Sequence, residues 1–216
     1  MNRVVDEAVE LPSFSTDCRA CPRLAAHLAH VRESHANYHA KPVAPFGDDA
    51  PELLIVGLAP GMHGANRTGR PFTGDYAGIL LYETLHRYGY ASRPDAIDPN
   101  DGLELKGCRI TNAVKCLPPA NKPQPDEVRR CNGYLKRELG LHPDAAILAL
   151  GAIAHQAVLM AFDLRRASYP FAHGARHNLP DGRVLFDSYH CSRYNTQTRR
   201  LTKEMFEDVF KAIRSV

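Results

Sequence analysis

Four short apolar runs punctuate the chain, and helix-spaced apolar positions fill the stretches between them. The runs are residues 53–57 (LLIVG), 109–114 (RITNAV), 145–150 (AAILAL) and 183–188 (RVLFDS). They are too short for helices and largely lack polar alternation, which predicts strands buried on both faces. Residues 24–35 have helical character until Pro42, Pro45, Gly47 and Pro51 break the pattern. Residues 77–88 place Leu80, Leu81, Leu85 and Tyr88 on one side of a helix. A helix over 126–139 is entered through Pro125-Asp126-Glu127, with acids where the helix dipole favours them. Gly151 opens a small-residue helix to about residue 162, and 196–213 forms the last helix. Strands alternating with helices predict an α/β fold: a three-layer α/β/α sandwich on a central four-stranded parallel sheet.

In such sheets the ligand lies beyond the carboxyl ends of the strands. The loops there are residues 57–75, 112–125 and 189–198, and they hold most of the polar residue types suited to chemistry. A length of 216 residues suits a single domain. Residues 1–17 are expected to be a poorly structured lead-in.

Composition narrows the class. Hydrophobic residues make up 44% and charged residues 24%, as in an ordinary globular domain. No apolar run approaches the ~20 residues that span a bilayer. The opening MNRVVDEAVELPSF carries early acids and no apolar core segment, so no secretory signal is expected. A reducing, cytoplasmic setting follows, in which six cysteines are not a disulfide framework. The net charge of +3 is too mild to establish nucleic-acid binding but permits a local basic patch.

Four cysteines stand out. Cys18 and Cys21 form a C-x2-C pair, and Cys116 and Cys131 flank the Pro-rich loop CLPPANKPQP and the start of its helix. Four thiolates from distant segments are enough for one tetrathiolate site. The second pair is more widely spaced than zinc pairs usually are, which favours a [4Fe–4S] cluster over zinc. Unrelated buried cysteines remain the third reading. Cys108 opens a strand and belongs with the core. The segment after the first strand lacks both a dinucleotide fingerprint and a G-K-[ST] phosphate loop. With no nucleotide or flavin site to supply electrons, a cluster here would be structural.

Residues 57–75 (GLAPGMHGANRTGRPFTGD) closely resemble the uracil-DNA glycosylase superfamily, in its family 5, or B-type, branch. Three further blocks agree in order: TNAVKCLPP from Thr111, the four-cysteine spacing, and SYHCSRYNT from Ser188. The resemblance spans roughly residues 18–203. It implies the α/β/α sandwich, a [4Fe–4S] cluster on Cys18, Cys21, Cys116 and Cys131, and excision of uracil and other deaminated bases from DNA; a monomer is expected. Such enzymes flip the base out of the duplex and break its N-glycosidic bond.

The resemblance assigns roles residue by residue. Phe72 would stack on the flipped base, and Asn112 would meet its polar edge with a donor and an acceptor. The backbone of Gly57 and Leu58 would approach it closely. His190 would face the uracil oxygen that gains charge as the base leaves. Positions 58 and 59, where many superfamily members carry a water-handling acid or amide, are Leu and Ala here. That task passes to Asp75, which is also placed to cap the next helix, with Asn121 as a second water-holding candidate. Cys191 replaces the Pro that usually follows the histidine, so the inserting side chains are expected to be Arg193 and Tyr194. Arg199, with Arg200, Lys203, Arg67 and Arg70, is a candidate phosphate contact. No lysine is placed as a Schiff-base nucleophile, so no lyase step is expected. The rival readings are a non-catalytic DNA-binding module with a structural metal site, and a hydrolase of free nucleosides.

Overall fold

The computed structural model describes residues 13–215. Six strands form one mixed sheet: β1 (Phe46–Gly47), β2 (Leu53–Gly57), β3 (Cys108–Asn112), β4 (Ala146–Leu150), β5 (Arg176–Asn178) and β6 (Val184–Ser188), in the order β1-β3-β2-β4-β6-β5. The four central strands are parallel, as the apolar runs predict. The four-strand expectation needs one correction, because β1 and β5 add antiparallel edges. Neither has an apolar pattern to betray it: β1 is Phe-Gly and β5 is Arg-His-Asn, each defined by pairing with a neighbour.

The central strands look uniformly apolar because both sheet faces are covered. Side chains alternate along a strand. Leu53 and Ile55 of β2 therefore join one core with Leu148, Leu150 and Phe186, while Leu54 and Val56 join the other with Ile147, Ala149 and Leu185. The first core is roofed by α3 (Tyr76–Arg87) and α7 (Lys203–Ile213), through Leu81, Leu85, Phe206 and Phe210. The second is covered by α1 (Pro22–Ser34), α4 (Pro125–Leu141) and α5 (Ala152–Ala161), through Leu24, Leu135 and Val158. Each large apolar side chain buried this way contributes roughly 1.5–3 kcal/mol. The result is the predicted α/β/α layering.

Two helices depart from expectation. The segment 196–213 is not continuous: α6 (Arg193–Gln197) ends at Thr198, Arg199 takes a φ of 55°, and Thr202 caps α7 by accepting from the Met205 amide. Within the Gly-rich loop the short α2 (Ala65–Thr68) forms, ended by Gly69 at a φ of 78°. Of the expected lead-in, residues 1–12 lie outside the described residues, and 13–17 form no helix or strand.

The registers align the strand ends. Gly57 pairs with Asn112, Val56 with Ala149, and Leu150 with Ser188. From β2 the chain crosses to β3 on one side and then to β4 on the other. The crevice between β2 and β4 is therefore the topological switch point of the sheet.

Candidate active site

A cavity of about 400 Å³ opens at that switch point. Its walls come from all four parallel strands: Leu58 after β2, Asn112 ending β3, Leu150 ending β4, and His190 after β6. The Gly-rich loop adds Phe72 and Asp75, the Pro-rich loop adds Asn121, and the first turn of α5 adds Ala152 and Ile153. The structure thus brings together every residue predicted to act on a base, with Gly57 directly behind the wall.

Phe72 is buried and lies over His190, with ring centroids 5.9 Å apart and planes 28° from parallel. Its backbone holds a φ of 53°, an unusual conformation for a bulky residue. Such strain persists where surrounding contacts over-determine it, and costs about 1–3 kcal/mol. Here Tyr82 helps, donating to the Pro71 carbonyl at 2.7 Å. Gly57 makes the arrangement possible: a Cβ there would collide with Asn112 Oδ1 and lie 2.8 Å from Phe72 Cζ.

Asn112 Oδ1 and His190 Nδ1 are both buried without a hydrogen-bond partner. Asn66, outside the cavity lining, carries two more such atoms, whereas Asn112 and His190 line one cavity in which a polar ligand would satisfy them. Burial alone depresses the His190 pKa from 6.5 to about 4, so its ring is neutral at physiological pH. As a neutral imidazole it retains one N–H to donate. Asn195 Nδ2 donates to the His190 carbonyl at 2.8 Å and fixes the loop behind it.

Asp75 does two jobs. Oδ1 accepts from the Gly78 amide at 2.9 Å, capping α3. Oδ2 faces Gly61 and Gly64, and a Cβ on Gly64 would strike it. Burial raises the Asp75 pKa, while hydrogen bonds from the Gly78 and Ala77 amides oppose the rise. The predicted capping and the predicted place in the cavity therefore coexist.

A model of the uracil DNA glycosylase superfamily matches residues 44–214. The chain belongs to the uracil-DNA glycosylase superfamily. It is 51% identical over 200 residues to a type-5 uracil-DNA glycosylase of Thermus thermophilus, covering 90% of this chain and 91% of that protein. It is 43% identical over 211 residues to a type-5 uracil-DNA glycosylase of Mycobacterium bovis, covering 94% and 79%. A type-4 uracil-DNA glycosylase of Archaeoglobus fulgidus is 34% identical over 148 residues, covering 68% and 61%. These two type-5 proteins match more of the chain, at higher identity, than the Archaeoglobus type-4 protein does.

The four cysteines of this superfamily member line a shared hollow with Lys115 and Tyr134. Cys18 and Cys21 sit at the entrance to α1, Cys116 follows β3, and Cys131 lies on α4. The Lys115 amide donates to Cys131 Sγ at 3.3 Å, and the Tyr134 hydroxyl donates to Cys18 Sγ at 3.3 Å. Burial and mutual repulsion push Cys21 up to about 11 and Cys116 up to about 12. Thiolates gathered this closely need a cationic group between them. Four cysteine sulfurs lining one hollow are a donor set suited to a thiolate-bound metal ion or cluster.

The rim of the glycosylase-fold cavity carries α6. Arg193 and Tyr194 are exposed, Tyr194 to 71%, and Arg193 lies over the Tyr76 ring at 5.2 Å. Arg199 is exposed beside them, and Arg200 covers the Tyr189 ring at 4.6 Å. One phosphate candidate is corrected: Arg70 is buried and paired with Asp101 at 2.7 Å. Lys203 pairs with Glu83 but keeps 41% of its side chain exposed. Cys191 is fully buried in the same core as Phe72, filling the position of the usual Pro with packing. The sequence reading missed the apolar cavity walls at Ala65, Leu150 and Ile153. Nothing in their residue type separates them from core; only their places at strand ends and helix starts could have marked them.

Proposed function

We propose that this chain is a DNA glycosylase that removes uracil from DNA by hydrolysis, leaving an abasic site. The observation that carries the reading is the pair of orphaned buried atoms, Asn112 Oδ1 and His190 Nδ1, beside the Phe72 ring in one cavity. Uracil offers a planar π-face and an edge that alternates acceptor, donor, acceptor. The base leaves the stack and enters the cavity. Phe72 stacks on it, a contribution of about 1–3 kcal/mol that tolerates any base. Asn112 Oδ1 accepts from the ring N–H while its amide donates to the neighbouring carbonyl.

The glycosidic bond then breaks with both electrons going to the base, which departs as an anion. The neutral His190 ring donates to the oxygen that gains this charge. The sugar becomes cationic, and the ionised Asp75 stabilises it and takes a proton from the attacking water, which Asn121 helps hold. Water oxygen bonds to the sugar carbon, and the abasic site is released. No lysine lines the cavity, so the reaction ends without strand cleavage. The apolar walls at Leu58 and Ala59 put few polar demands on the base, which favours acceptance of other deaminated bases as well as uracil. Arg193 and Tyr194 act at the DNA groove, with Arg199 on phosphate.

We also infer that Cys18, Cys21, Cys116 and Cys131 hold a structural [4Fe–4S] cluster. When bound it supplies a covalent tie between α1, the end of β3 and α4. The cysteines' need for reduced thiols is consistent with a cytoplasmic setting, and no helix among the described residues is long and apolar enough to cross a membrane. The proposed enzyme acts as a monomer.

The test is a gel assay on a uracil-containing duplex. Alkali-labile product, absent from a cytosine control and unaccompanied by spontaneous strand breaks, is the expected result. Duplex binding without product would favour a non-catalytic module, and hydrolysis of free deoxyuridine alone would favour a nucleosidase. Anaerobically purified protein should show a broad visible absorption band; a colourless, zinc-loaded protein would reject the cluster.

A further inference from the structure

Outside the cavity lining sits a second cluster of chemistry-bearing residues. Asp187 is fully buried on β6, and its side chain meets two histidines. His155 Nδ1 lies 2.8 Å from Asp187 Oδ1, and His177 Nε2 lies 3.1 Å from Asp187 Oδ2. The three candidate donor atoms all fall within 4.8 Å of one another. His155 comes from α5 and His177 from the edge strand β5, so three elements meet at one carboxylate.

The hydrogen bonds of His155 cannot all be made by a neutral ring. Its Nε2 lies 2.8 Å from the Tyr169 carbonyl, which can only accept. A neutral imidazole carries one N–H, and that carbonyl claims it. Nδ1 then presents a lone pair to the Asp187 carboxylate, itself only an acceptor, at 2.8 Å. Two acceptors in contact beside a buried anion require something positive between them, either a second ring proton that makes a His–Asp ion pair or a bound cation. Metal-bound histidines usually have their other ring nitrogen held in this way by a backbone carbonyl or a carboxylate.

We propose that His155 Nδ1, His177 Nε2 and Asp187 bind one divalent cation of the zinc class. Two imidazoles and a carboxylate are a donor set suited to zinc, with a fourth position left to water on the side of half-buried His177. Bonds of about 2.0–2.1 Å set tetrahedral ligands about 3.3 Å apart, so the three donor atoms, which lie within 4.8 Å of one another, would have to close around the ion. His177 stands on a three-residue edge strand and can supply that movement. The cation would fasten α5, which brings Ala152 and Ile153 to the cavity, to β6, which leads into His190. This site shares no residue with the four cysteines.

The test is cobalt binding to the anaerobically isolated protein, comparing wild type with His177→Ala. The thiolate site is identical in both, and any cobalt on sulfur announces itself by intense near-ultraviolet charge-transfer bands. Wild type should take up one cobalt with weak visible bands and no new sulfur signal, should release it to zinc, and should gain thermal stability from it. His177→Ala should lose about tenfold or more in affinity and gain no thermal stability from metal. His177→Gln, which keeps the bulk, serves the same comparison if the alanine variant folds poorly. Absence of cobalt outside the thiolates, or equal uptake by wild type and variant, would overturn the proposal and leave a proton between His155 and Asp187.

Discussion

Asp75 Oδ1 accepts the Gly78 amide at 2.9 Å, so the carboxylate that lines the cavity also starts the helix beside it. The two jobs are separable. Asn caps helices about as well as Asp, so Asp75→Asn keeps the helix start. It removes the negative charge that supports the sugar cation and the base that takes the water's proton. Excision should fall about 10²-fold or more. Stability should move the other way. Burial raises the Asp75 pKa, so its ionisation opposes folding at neutral pH and ceases to do so once pH falls below the ordinary carboxylate value. Asp75→Asn should therefore match or exceed wild type in thermal midpoint at neutral pH, with the advantage fading on acidification. Parallel melting curves and single-turnover assays check both halves.

His190 gives a pH signature of opposite sign. Its pKa falls from 6.5 to about 4 through burial, so the unfolded chain binds this proton more readily than the folded one. The resulting contribution to stability is complete above the ordinary histidine pKa. It is lost progressively as pH falls from 6.5 towards 4. His190→Asn should flatten this part of the stability profile, and denaturant titrations at several pH values would show it. The same variant should lose about 10²–10³-fold in excision, with no gain or loss specific to the region near pH 7, because the wild-type ring is already neutral there.

The parallel strands were legible because burial on both faces leaves them continuously apolar, and the site was legible because its polar residues stand in loops after those strands. Phe72, Asp75, Asn112 and His190 converge as their motif order implied. The misses have physical causes. Arg70 resembles any loop arginine until Asp101 folds against it. β5 has no hydrophobic period to read. Leu150 and Ile153 carry the same side chains as core residues and differ only in lying where the sheet ends.

Gly57 tests whether the cavity must remain open to a ring. A Cβ at this position would collide with Asn112 Oδ1 and press on Phe72. Small-to-large changes in packed surroundings cost about 1–3 kcal/mol, which a stable domain survives. Gly57→Ala should therefore fold, with a lowered thermal midpoint, and lose excision about tenfold or more because the groups that read the base are displaced. Affinity for DNA already carrying an abasic site should change far less, since no base has to enter. Equal losses in both assays would mean that the cavity does not receive the base.

The rim offers a contrast between two arginines of the same residue type. Arg199 is exposed beside α6, whereas Arg70 is buried against Asp101 at 2.7 Å and donates to Thr73 Oγ1 at 2.8 Å. Each phosphate neutralised by a protein cation releases condensed counterions, so losing one contact lowers the slope of log affinity against log salt by about 1. Arg199→Ala should show that reduction with an unchanged thermal midpoint. Arg70→Ala should leave the slope intact and instead destabilise the fold, because it strands a buried carboxylate, at a cost of about 3–5 kcal/mol. The Asp101 pKa is depressed by the Arg70 guanidinium and by backbone amides, which outweigh its desolvation. This pair's stabilising effect should accordingly persist at neutral pH and weaken only in strong acid, as the carboxylate protonates. Binding isotherms at several salt concentrations, with melts of the same preparations, separate the two arginines.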